Sequence, residues 1–93
     1  MYIYFKIEIS IEDLSDLTYQ MPQEVVLFIR VSPDMDQYFG VVRDDYYSEI
    51  IAKAPRRSVD SLDTVSKEEV MRFYAGIAND PTERFIGNRR LLS

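Results

Sequence analysis

Ile3, Phe5, Ile7 and Ile9 alternate with Tyr2, Tyr4, Lys6 and Glu8. This period of two predicts a strand with all four aliphatic and phenyl side chains on one pleated face. Tyr2 and Tyr4 share the second face, which a helix, solvent or another chain would cover. If the strand lies at a sheet edge, its free backbone groups could pair with a twin or a partner. Ser10 followed by Asp13 resembles a capping box, and Ile11, Leu14 and Leu17 recur near helical spacing, so a short helix is expected before Met21-Pro22.

Val25 to Val31 is β-branched and aromatic on both faces until Arg30, the pattern of a strand inside a sheet. Ser32 to Gln37 has turn chemistry and Tyr38 to Val42 is again strand-like, which predicts a β-hairpin with a longish loop. Gly40 inside the second strand marks a bulge or a close packing contact. After Arg43 the period changes. Tyr46, Tyr47, Ile50, Ile51 and Ala54 form an apolar helical stripe, with Asp44 or Asp45 as the cap and Pro55 as the stop.

Arg56 to Val65 is polar, with Val59, Leu62 and Val65 as spaced apolar residues, and reads as a connector that includes one helical turn. Ser66-Lys67-Glu68-Glu69 is a full capping box, and Val70, Phe73, Tyr74 and Ile77 follow on one face of the most clearly signalled helix. Asn79-Asp80-Pro81 closes it, and Pro81 opens a further turn through Phe85. Leu91 and Leu92 are placed to tie down the C-terminal tail. This order predicts one α+β domain over residues 1–93: a small three-stranded, mostly antiparallel sheet with two to three helices packed on one face.

Composition narrows the chemistry. At 46% hydrophobic content, 93 residues can build one core without staples. The chain has no Cys and no His, which removes thiolate nucleophiles, disulfides, the commonest general base and the commonest transition-metal ligand. There is no Ser-x-x-Lys, and Gly40, Gly76 and Gly87 are too scattered for a phosphate-cradling loop. The chain is expected not to be an enzyme and to need no cofactor.

The N-terminus alternates where a signal peptide would be apolar, and the longest apolar run, Val25 to Ile29, is too short to cross a bilayer. A soluble, cytoplasmic protein is the expectation. The net charge of −5 disfavours nucleic acid and anionic membranes as main partners and favours a basic protein. Residues 1–49 carry three bases against ten acids, a balance of −7, and residues 50–93 carry eight bases against six acids, a balance of +2. The dibasic pairs Arg56-Arg57 and Arg89-Arg90 fall short of the longer basic runs that mark nucleic-acid patches.

The densest acidic and aromatic stretch is Asp34 to Glu49. Asp34, Asp36, Asp44, Asp45 and Glu49, interleaved with Tyr38, Tyr46 and Tyr47, form the candidate partner-binding surface, because carboxylates steer a basic partner and Tyr anchors interfaces. The competing assignment puts Tyr46 and Tyr47 in the core stripe and leaves the acids as a solvated helix face. Convergence of Asp34, Asp36, Asp44 and Asp45 on one Mg²⁺ is a third possibility. The expected function is therefore a small acidic inhibitor of a basic target, as an immunity protein, an antitoxin or a virus-encoded inhibitor of a nucleic-acid enzyme would be. A self-associating assembly subunit, such as a homodimer, and a carboxylate-dependent metal enzyme are the alternatives.

Overall fold

In the computed structural model, which describes residues 1–79 and 84–92, the alternating N-terminal segment is strand β1 (Tyr2–Glu8), with Phe5 and Ile7 buried. Ser10 caps helix α1 (Ile11–Tyr19) as its spacing predicts, its Oγ accepting from the Asp13 N–H at 3.2 Å. A 3-10 turn (Gln23–Val25) leads into β2 (Val26–Arg30), and β3 (Gln37–Arg43) returns beside it as the predicted hairpin. Helices α2 (Asp44–Lys53) and α3 (Arg56–Asp60) follow, then the two-residue strand β4 (Asp63–Thr64). Helix α4 (Lys67–Ile77) starts at Ser66, whose Oγ accepts from the Glu69 N–H at 3.1 Å. The chain ends with β5 (Phe85–Gly87) and a 3-10 turn (Arg89–Leu92). Of the helix stop expected at Asn79-Asp80-Pro81, Asn79 follows the end of α4 at Ile77, and Asp80 and Pro81 lie outside the described residues.

The strands form one sheet in the order β4-β1-β3-β2-β5, with every pairing antiparallel. The α+β class stands, but the sheet has five strands rather than three. Both additional strands are very short and carry no periodicity of their own, so only pairing reveals them. Asp63 opposes Lys6 in the stretch that looks like a connector, and Phe85 opposes Ile29 where a further helical turn is expected from sequence. Gly87 closes β5 with φ +107°, and a Cβ there would run into the Val26 carbonyl.

Helices cover both faces of the sheet, not one. The register lines up Phe5, Gly40, Phe28 and Ile86 on the first face, where Leu14 and Leu17 of α1 and Ile50 of α2 complete the core. On the second face Leu27, Ile29, Phe39 and Val41 meet Val70 of α4 and Leu92 of the tail. The reason lies in β2 and β3, whose side chains are apolar in both directions, so covering one face alone would leave the other wet. Leu92 is buried, as the tail leucines suggest. Tyr2 and Tyr4 pack partly buried into the second core, and β1 lies between β3 and β4 rather than at an edge. No helix among the described residues is long and apolar enough to cross a membrane.

Candidate functional site

Strand β3 separates the acidic residues that the sequence groups together. Asp34 and Asp36 precede it and Asp44 and Asp45 follow it, so at the rise of an extended strand Asp36 and Asp44 lie roughly 25 Å apart. The four carboxylates therefore do not converge on one ion. Among the described residues no group of three or more Asp or Glu side chains is placed to hold a metal.

At one end of the sheet, the β2–β3 turn presents Asp34, Met35 and Asp36 to solvent, with Met35 46% exposed. Ser32 Oγ donates to the Asp34 carboxylate, and that bond holds the Asp34 pKa below its ordinary value. Asp36 forms an ion pair with Arg30 at 3.4 Å, while its backbone carbonyl accepts from the Ile9 N–H at 2.9 Å. That backbone bond brings the start of α1 beside the turn. Tyr38 is the clear departure from a surface role, since only 1% of it is exposed and its ring belongs to the first core.

At the other end, Asp44 and Asp45 are exposed in the first turn of α2, and neither forms the cap, which falls on Arg43 with no side-chain bond. Arg43 instead grips Asp45 through Nε at 2.7 Å and Nη2 at 3.0 Å and lies over the Tyr46 ring at 5.2 Å. These bonds push the Asp45 pKa down and the Arg43 pKa up. Glu49 pairs with Lys53 at 2.8 Å. Tyr47 turns inward, its ring edge-on to Phe5 at 5.6 Å, and burial raises its hydroxyl pKa. Tyr46 is half-buried against the same core. Asp36, Asp45 and Glu49 are thus each matched by a local base, which weakens the field a distant basic partner would sense.

Helix α1 carries acidity that the sequence reading passed over. Glu12, Asp13 and Asp16 sit on it with no base, and none of them makes an ion pair among the described residues. Its outward side also exposes Ile11 (37%) and Tyr19 (92%). Three acids without a Lys or Arg in nine residues, with apolar groups at both ends, is a signal present in the sequence, though a less dense one than Asp34 to Glu49. Beside the N-terminus of α1, Ile11, Arg30, Tyr38, Arg84, Phe85 and Ile86 line a cavity of about 310 Å³. No protein-family model, curated protein or solved structure matches this chain.

Proposed function

We propose that the protein is a small acidic binding module for a basic protein, acting as an inhibitor of that target in the manner of an immunity protein, an antitoxin or a virus-encoded inhibitor of a nucleic-acid enzyme. The observation that carries this reading is the outward side of α1, where Glu12, Asp13 and Asp16 have no ion-pair partner among the described residues and lie between exposed Ile11 and Tyr19. Unmatched carboxylates accelerate encounter with a basic surface, and exposed apolar groups beside them supply area to bury once contact is made. The β2–β3 turn, with Asp34 and half-exposed Met35, extends the same end of the molecule. Asp44 and Asp45 with Tyr46 and Glu49 form a separate surface on which Asp45 and Glu49 are each matched by a local base, while the Tyr47 ring turns into the core, and the binding role is assigned to the α1 end in preference to it.

Affinity capture with the immobilised chain tests the proposal through two charge-reversal variants. Asp16→Lys combined with Asp34→Lys should abolish retention of the basic partner, while Asp44→Lys combined with Asp45→Lys should retain it. The affinity of the purified partner should also fall steeply with added salt. Equal retention by both variants, or a partner without excess positive charge, would overturn the reading.

A further inference from the structure

Strand β5 closes one edge of the sheet, and no strand among the described residues lies on its far side from β2. The Arg30 N–H bonds to the Arg84 carbonyl and the Asn88 N–H to the Val26 carbonyl, both at 2.9 Å, so positions 84, 86 and 88 turn their backbone groups toward β2. By the alternation of an antiparallel ladder, Phe85 and Gly87 turn their N–H groups to the open side. An edge of this kind is a template for a further strand.

The side chains beside the edge select what that strand carries. Arg89 lies over the Phe85 ring, 4.1 Å from its centroid, and 5.8 Å from the centroid of Tyr74, whose hydroxyl accepts from its Nη2 at 3.4 Å. The two rings meet edge-on at 5.7 Å. They hold the guanidinium in place, yet Arg89 is exposed and forms no ion pair among the described residues. A guanidinium already held on aromatic rings loses little further freedom when its fork takes a carboxylate. Gly87 adds a second feature. It shares the second face with Phe85 but has no side chain, and a cross-strand aromatic ring is the usual cover for an edge glycine. Between them Ile86 points to the first face, where it lines a cavity with the exposed Ile11.

We propose that the β5 edge binds an extended peptide segment of a partner protein, read in chain order as aromatic, aliphatic, acidic. The segment adds antiparallel, as every other pairing in this sheet does. Its aromatic residue then stands opposite Gly87, its aliphatic residue opposite Ile86 beside Ile11, and its acid opposite Phe85, within reach of Arg89. The acid is taken on the second face, across the sheet from the carboxylates of α1, so this contact is independent of the one proposed above. The β5 of a second copy contains no acid and has nothing to offer Arg89. A nucleic-acid base is a poorer match, because Arg89 and Tyr74 already occupy the Phe85 ring.

NMR titration of the full chain with the blocked peptide Ser-Thr-Phe-Val-Glu-Thr-Ser tests this. Saturable binding is expected, with slowed hydrogen exchange at the Phe85 and Gly87 N–H groups. Exchanging the peptide's Phe and Glu, or replacing its Glu by Lys, should weaken binding about tenfold, the range of a hydrogen bond to a charged group. N-methylation at the peptide's Phe or Glu, whose N–H groups face β5, should abolish saturation, whereas N-methylation at its Val, which faces away, should change affinity by less than about threefold. Arg89→Glu, checked for an unchanged fold by circular dichroism, should lose the Glu peptide and gain the Lys peptide. Equal binding of the Glu and Lys peptides, indifference to the position of the N-methyl group, or unaltered affinity in a folded Arg89→Glu protein would each overturn the proposal. So would tighter binding of oligouridylate than of the peptide, no saturation in the millimolar range, or a dimer of the free chain in sedimentation that itself slows exchange at Phe85 and Gly87.

Discussion

Gly40 of β3 faces Phe5 of β1 so closely that a Cβ built at Gly40 would come within 2.8 Å of the Cζ, Cε2 and Cε1 atoms of the ring. The missing side chain is the space the ring fills. Phe5 is wholly buried and stands edge-on to Phe28 at 5.9 Å and to Tyr47 at 5.6 Å, so it has nowhere to retreat. Gly40→Ala should therefore destabilise the fold by about 1–3 kcal/mol through overpacking. In a Phe5→Leu background the same substitution should cost less, by roughly 0.5–3 kcal/mol of coupling. Urea unfolding of the four proteins in that cycle checks it, and additive effects would show that the ring is not the obstacle.

Helix α4 depends on its first turn in a way that can be measured. Ser66 Oγ takes the otherwise orphaned Glu69 N–H at 3.1 Å, and α4 is the element that brings Val70 onto the second face of the sheet. Ser66→Ala should lower stability by about 1 kcal/mol, while Ser66→Asp should largely keep it. A Ser66→Ala protein with unchanged urea midpoint would mean that the cap bond contributes nothing in solution.

How much of this was legible in the chain depended on whether a segment carries its own signal. β1, the β2–β3 hairpin and the capped helices α1 and α4 are each specified locally, by alternation or by a Ser three residues before an acid. β4 and β5 are not, because two or three residues cannot display a period, and their pairing with Lys6 and Ile29 is decided by partners distant in sequence. The two-sided cover of the sheet was foreshadowed by β2, whose run of apolar residues leaves no polar face. For the candidate site, proximity in sequence misled: Asp36 and Asp44 are eight positions apart and still at opposite ends of the sheet. Tyr38 of β3, Arg30 of β2 and Arg84, the residue before β5, line one cavity, so no window of the sequence contains them.

The Arg43–Asp45 pair makes a prediction in acid. With two bonds from Arg43, Asp45 has a folded-state pKa below its ordinary value of 3.8. A carboxyl whose pKa is lower in the folded than in the unfolded state contributes stability that is present above the unfolded value and is lost as pH falls through the folded one. The loss attributable to Asp45 should thus occur below the ordinary carboxylate range. Both side chains are substantially exposed, so the contribution should be small and should shrink in high salt. Following the Asp45 carboxyl carbon by NMR titration checks the sign: Arg43→Gln should raise its midpoint toward 3.8, and an unmoved midpoint would mean that the pair does not persist in solution.

Tyr38→Phe tests what the buried hydroxyl contributes to stability. The hydroxyl is buried without a hydrogen-bond partner among the described residues, and a phenyl ring fills nearly the same volume without a polar group to desolvate. The ring's contacts in the first core, including its place opposite Ile7 across the β1–β3 pair, are unaffected by the exchange. Deleting an unsatisfied buried hydroxyl should therefore leave stability unchanged or raise it, by up to about 1 kcal/mol. A gain in Tm for Tyr38→Phe would show that the native hydroxyl is retained at a cost to the fold. A fall of more than about 1 kcal/mol would instead identify a bound water or another native partner already satisfying the hydroxyl.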